Sequence, residues 1–252
     1  MQLTADPLEV ERQVVLAYAL EATLPKPACT SRYRDVGPKQ RFEYFLVSAV
    51  NSGRYFHDLA DRIRSVGGQP PVIYDLAYSA LMTSQRSRAG KIVNYGLLEA
   101  MLPVVTAKCL YDRSGSDTLG LVCKVLEDTS KDDVRYLARM RREIYAHSDK
   151  EFKRRFRVTT GGKNVLEHYA LHACRAHQAS SLFVQELSGG MPLTRVMYEV
   201  VMKRGGSLKE NIRMGFTRMR RASELPAGAL ADFTAAAIYL ALSDDPEAAF
   251  VG

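Results

Sequence analysis

Tryptophan is absent from the 252 residues, and cysteine occurs only four times. Without tryptophan, a site built on broad aromatic platforms is disfavoured. Cys29, Cys109, Cys123 and Cys174 show no C-x-x-C spacing and no disulfide-framework density, so zinc ribbons, thioredoxin-type redox sites and stapled secreted folds are excluded. Reduced thiols in a cytoplasmic protein are the expectation. No apolar run approaches the about 18 residues of a spanning helix. The opening Met1-Gln2-Leu3-Thr4-Ala5-Asp6 lacks a basic segment followed by an apolar core, so no signal peptide is expected. Also missing are G-x-x-x-x-G-K-[ST], the Rossmann glycine fingerprint, H-E-x-x-H and G-x-S-x-G. Internal repeats and sustained β alternation are lacking too.

What is there is ordinary for a soluble globular chain: 46% hydrophobic and 25% charged residues. Lysine and arginine number 35 against 28 acids, a net charge of +7 that favours anionic partners such as nucleotides and coenzymes. The excess lies in 135–157 and 203–221, on predicted helices, where a basic run reads as a solvated face. No nucleic-acid motif accompanies it, so nucleic acid is not the expected partner.

Helical periodicity dominates. Asp6-Pro7-Leu8-Glu9 carries a cap, a first-position proline and a capping-box acid, opening a helix that stops at Pro25. Further helices are predicted over 41–51, 55–66, 72–82, 91–110, 117–126, 131–146, 164–187, 193–203, 207–221 and 228–242. Asn51-Ser52-Gly53 reads as a break, and Pro103 as a kink. The charged, glycine-rich 147–162 is the most loop-like stretch. The expected fold is all-α, one domain of about ten helices spanning 1–252.

The stretch with most chemistry is Glu21-Ala-Thr-Leu-Pro-Lys-Pro-Ala-Cys-Thr-Ser-Arg32. Pro25 and Pro27 bracket Lys26 and hold the backbone extended. A carboxylate on the last helical turn, a lysine between prolines and Arg32 suit an anion, and the bland counterpart is a proline-terminated helix with a solvated loop. Gly161-Gly162-Lys163 before a helix could cradle a phosphate, though a turn is the simpler reading. His168 and His172 share a helix face without a third ligand in a familiar spacing, so no metal site is assigned.

Several of these stretches resemble the triphosphoribosyl-dephospho-CoA synthase family, in its archaeal-type form. Glu21, Pro25, Lys26, Pro27 and Arg32 match its glutamate, P-K-P-G and arginine, with Ala28 in place of the glycine. Phe42-Glu43-x-Phe45-Leu46-x-Ser48-Ala49 is similar to its F-E-x-F-L-x-S-A run. Asn94 and Gly96 remain from N-T-N-L-G, where Ile92-Val93 replace the polar pair. Val125–Asp133 resembles V-L-x-x-T-T-x-E-D-A, and Glu186–Thr194 resembles E-L-T-x-G-M-P-V-T. Ser180-Ser181 stand where the family carries an aspartate.

The resemblance implies an all-helical transferase that moves the triphosphoribosyl group of ATP to a hydroxyl of a coenzyme or its precursor and releases adenine. It implies ATP as substrate, with Mg²⁺. It places Glu21 and Lys26 as catalytic residues, and Lys26, Arg32, Asn94 and Gly96 at the substrate phosphates. A homodimer or a complex with a pathway enzyme is compatible with it. The three departures leave a second reading: an altered or inactive relative serving as a ligand-binding or assembly subunit, for example in a tetrahydromethanopterin-type pathway.

Overall fold

Asp6 accepts a hydrogen bond from the Leu8 backbone N–H at 3.2 Å, and Pro7 follows in the first turn. The chain therefore enters α1 (Pro7–Thr23) where the capping signal places it. The computed structural model describes residues 5–37, 40–87, 93–147, 161–173, 178–203 and 206–247. After α1 come α2 (Phe42–Val66), α3 (Tyr74–Ser87), α4 (Tyr95–Tyr111), α5 (Gly115–Glu127) and α6 (Lys131–His147). Then follow α7 (Val165–Ala173), α8 (Gln178–Ser188), α9 (Pro192–Val201), α10 (Leu208–Ala222) and α11 (Ala227–Asp244). An isolated bridge between Ser31 and Arg34 is the one β feature among the described residues. The fold is all-α.

One expectation changes in detail. Asn51-Ser52-Gly53 does not break α2, which runs unbroken through it. The glycine is there for packing: a Cβ on Gly53 would lie 2.6 Å from Cγ2 of Val15, so its absence lets α1 and α2 approach closely. Pro103 lies inside α4. Of the loop expected over 147–162, residues 148–160 lie outside the described residues, as does Ile92.

Two helices are buried nearly all round and form the centre: α4, with Leu97, Met101 and Val104, and α11, with Leu230, Phe233 and Ile238. A helix apolar on every face has to sit inside. They pack on each other, and α11 also meets α1, α9 and α10. The other helices show one apolar face each, and one cluster of buried apolar side chains runs from Val10 to Leu242. Among the described residues no helix is long and apolar enough to cross a membrane.

Buried acids do much of the terminal work. Asp133 Oδ1 accepts from the Ile73 and Tyr74 N–H groups at 2.8 and 2.9 Å, and its Oδ2 from the Ser130 N–H at 2.9 Å. One carboxylate thus caps α3 and α6 together. Glu186 Oε1 accepts from the Thr194 N–H at 2.9 Å, fixing α8 to the start of α9. The segments around 133 and 190 that resemble the family therefore carry structural hydrogen bonds.

Candidate functional site

Lys26 turns back on the helix that precedes it. Its Nζ lies 2.9 Å from Glu21 Oε1 and donates to Leu24 O at 3.0 Å and to Glu21 O. An ammonium has three protons, and three oxygens take them. The side chain is 0% exposed and that of Glu21 only 8%, so this is a buried ion pair at a helix C-terminus, where the macrodipole favours a cation. Pro25 and Pro27 hold the lysine there.

Beyond Glu21 opens a cavity of about 260 Å³. Glu21, Cys29 and Thr30 form one wall, Asn94 and Gly96 at the start of α4 a second, and Asp232 of α11 a third. The lining carries two carboxylates and no cation. Asn94 is left-handed at φ 60°, which asparagine tolerates, and its Nδ2 donates to Phe45 O at 3.5 Å. Gly96 has a steric role: a Cβ there would lie 2.1 Å from Oδ2 of Asp232. Only glycine lets that carboxylate rest against the first turn of α4.

Burial, then the charges of Glu21 and Glu99, push the Asp232 carboxyl well above the usual aspartate range. Burial also pushes the Cys29 thiol up to about 12, so it is not a thiolate nucleophile at neutral pH. Behind the cavity lies a second polar cluster. Arg141 Nη2 meets Glu99 Oε1 at 2.5 Å, and its Nε donates to the Tyr95 hydroxyl at 3.1 Å. The guanidinium sits 5.4 Å over the Tyr169 ring. Burial would raise the Glu99 carboxyl, but Arg141 and the neighbouring tyrosine hydroxyls outweigh it and hold it below its ordinary value.

Of the residues singled out in the sequence, Glu21, Asn94 and Gly96 line one cavity, with Lys26 directly behind Glu21. Arg32 lies apart on the surface, stacked 4.5 Å over the Tyr33 ring and donating to its hydroxyl. His168 is buried, its Nδ1 2.9 Å from Gly161 O, whereas the side chains of His172 and His177 lie outside the described residues. Gly161 and Gly162 form a positive-φ turn against α7, where a Cβ on Gly162 would meet the His168 nitrogen at 2.7 Å. The side chains of Ser180-Ser181 are outside the described residues as well. Among the described residues, no group of three or more His, Cys, Asp or Glu could hold a metal ion.

A family model for ATP:dephospho-CoA triphosphoribosyl transferases matches residues 7–195. The chain belongs to that family. Neither a curated relative nor a solved structure matches the chain. The matched region holds Glu21, Lys26, Asn94 and Gly96, so two of the three walls of the cavity, from α1 with its following loop and from α4, lie within it. Asp232 lies beyond the matched region, and Glu99 and Arg141 lie within it. The sequence reading passed over all three. One signal was visible: Glu99 is the lone acid of α4 and Asp232 the one acid inside the apolar run of α11, and a charge in such a run calls for a partner or a function.

Position 28, where the family resemblance places glycine, is left-handed at φ 62° although it is alanine. The turn has kept the backbone of a glycine. Ala28→Gly is expected to raise stability by about 1 kcal/mol, or roughly 2–4 °C in melting temperature for a chain of this size. A thermal melt of both proteins checks it.

Proposed function

We propose that the chain transfers the triphosphoribosyl group of ATP to a hydroxyl of a dephospho-CoA-like coenzyme or precursor, releasing adenine, and that the Glu21 cavity is where it does so. The observation that carries the reading is the buried Glu21–Lys26 pair opening onto a cavity walled by Asn94 and Gly96. Lys26 pairs with Glu21 at 2.9 Å in a place where water is scarce. An ionised carboxylate there supports the cationic sugar centre that develops at C1′ and takes the proton of the attacking hydroxyl. Asn94 offers an amide to a ribose hydroxyl.

The cavity is smaller than the roughly 300–1,000 Å³ of drug-sized sites. It suits the ribose and part of the base, with the triphosphate extending outward past the loop that bears Arg32. Its donors do not assemble a resident cation site, because Glu21 is already held by Lys26 and no three ligands cluster among the described residues. Mg²⁺ enters as the counter-ion of ATP, as part of the substrate. The thiols of Cys29, Cys109 and Cys123 are free, which fits a cytoplasmic setting. A homodimer or a pathway partner is compatible with this chemistry.

The test is adenine release, followed by chromatography, from ATP and Mg²⁺ with dephospho-CoA and with pterin precursors. Acceptor-dependent adenine with a matching triphosphoribosylated product is the expected result. Nucleotide binding without adenine from any acceptor would overturn the reading in favour of a ligand-binding relative.

A further inference from the structure

Adenine is a poor leaving group as an anion, so a transfer that breaks its bond to C1′ gains from a proton supplied at the base. Glu21 is committed to Lys26 in a buried ion pair, so the proton has to come from another group. The second carboxylate of the cavity is in the opposite situation. Asp232 shares the cavity with Glu21, and among the described residues it makes no ion pair. The groups that face it are Tyr18 and Glu21 on α1, Cys29 on the loop, and Gly96 and Glu99 on α4. Lys26 stands behind Glu21 and Arg141 is spent on Glu99, so these two buried cations are committed to other acids, while Arg220 on α10 acts on the Cys29 thiol from an exposed position.

We propose that Asp232 is a catalytic acid that delivers a proton to the departing adenine. This rests on the transferase reading above. In the step, the C1′–N9 bond breaks and its electron pair passes to adenine, while the acceptor oxygen forms the new bond to C1′. The hydroxyl proton goes to Glu21, and the Asp232 proton goes to a ring nitrogen of the base. Charge is conserved, and exchange with water afterwards restores Glu21 as carboxylate and Asp232 as acid. Two carboxyl groups whose surroundings drive their protonation apart form the usual acid and base pair of glycosyl transfer. Burial and two neighbouring negative charges favour protonated Asp232, in keeping with that division. Gly96 supplies the room, since any side chain there would displace the Asp232 carboxyl.

The experiment compares wild type with Asp232→Asn, an isosteric change, using ATP and a donor whose purine is methylated at N7. The methylated base departs as a neutral molecule and needs no proton. With ATP the variant should lose about 10²–10³-fold in turnover, the range of general acid catalysis. With the methylated donor the loss should be under tenfold, and the alkaline limb of the pH–rate profile should disappear. Equal losses with both donors would overturn the proposal, as would recovery of the variant at raised Mg²⁺, which would make Asp232 a cation ligand. Wild type that releases no adenine from ATP with any acceptor overturns the functional reading itself, and this assignment with it. A circular-dichroism melt shows whether the variant is folded, and Asp232→Glu, which keeps the acid, should recover part of the rate.

Discussion

Glu21→Gln should lower turnover with ATP by about 10²–10³-fold, the usual effect of removing one preorganised charge from a transition state. The change keeps the shape of the side chain and an oxygen for Lys26, so the KM for ATP should move little. A fall in kcat with KM held marks an interaction made in the transition state alone. Lys26→Met should reach a similar rate by another route, because its Nζ serves Glu21 and two backbone oxygens. Without the ammonium, Glu21 loses the partner that fixes it against the cavity. Retention of wild-type turnover by Glu21→Gln would remove Glu21 from the chemistry.

The largest loss of stability is expected at Arg141. The residue is 2% exposed, and its guanidinium is bound to Glu99, itself 1% exposed. Arg141→Met leaves a buried carboxylate without its cation, a change that costs about 3–5 kcal/mol. In a chain of this size the melting temperature should fall on the order of 10 °C. Pairing it with Glu99→Gln should recover part of the loss, since the orphaned charge is then gone. The pH dependence separates this from a simple packing defect. In wild type the Glu99 carboxyl is held below its ordinary value, so its contribution is present above the unfolded carboxylate range and is lost as pH falls through the folded value. With the cation gone, burial raises that carboxyl instead, so the variant suffers most at neutral pH. The gap between the two proteins should narrow as pH falls from neutral toward the unfolded carboxylate value of about 4, and further below it. Denaturant melts at several pH values measure it.

The helices were legible because their signals are local. Asp6-Pro7 sits within one turn of what it caps, and the structure has that cap. Gly53 misled because a helix-breaking residue was also a contact residue, and the contact is with a helix far away in sequence. For the site, Glu21 and Lys26 lie five residues apart, so a short turn is enough to join them. Asn94 and Gly96 were found through the resemblance. Asp232 was hidden because nothing near it in sequence gives it meaning. Its neighbours are apolar, and its chemistry comes from Glu21 and Gly96, which only the packing of α11 on α1 and α4 brings to it. Arg141 was hidden in a different way, inside a basic stretch that reads as solvated. Most of that stretch on α6 does face water, and this one arginine points inward.

The cavity takes a wall from each of α1, α4 and α11, and α11 is the last of the described helices to leave the ribosome. While the chain is being synthesised, Glu21 and Lys26 emerge early and Asp232 emerges late. A nascent chain that has not yet threaded α11 between α1 and α4 has only part of a cavity, whatever its helix content. Nucleotide should therefore protect the finished chain against protease and give no protection to one ending before residue 227.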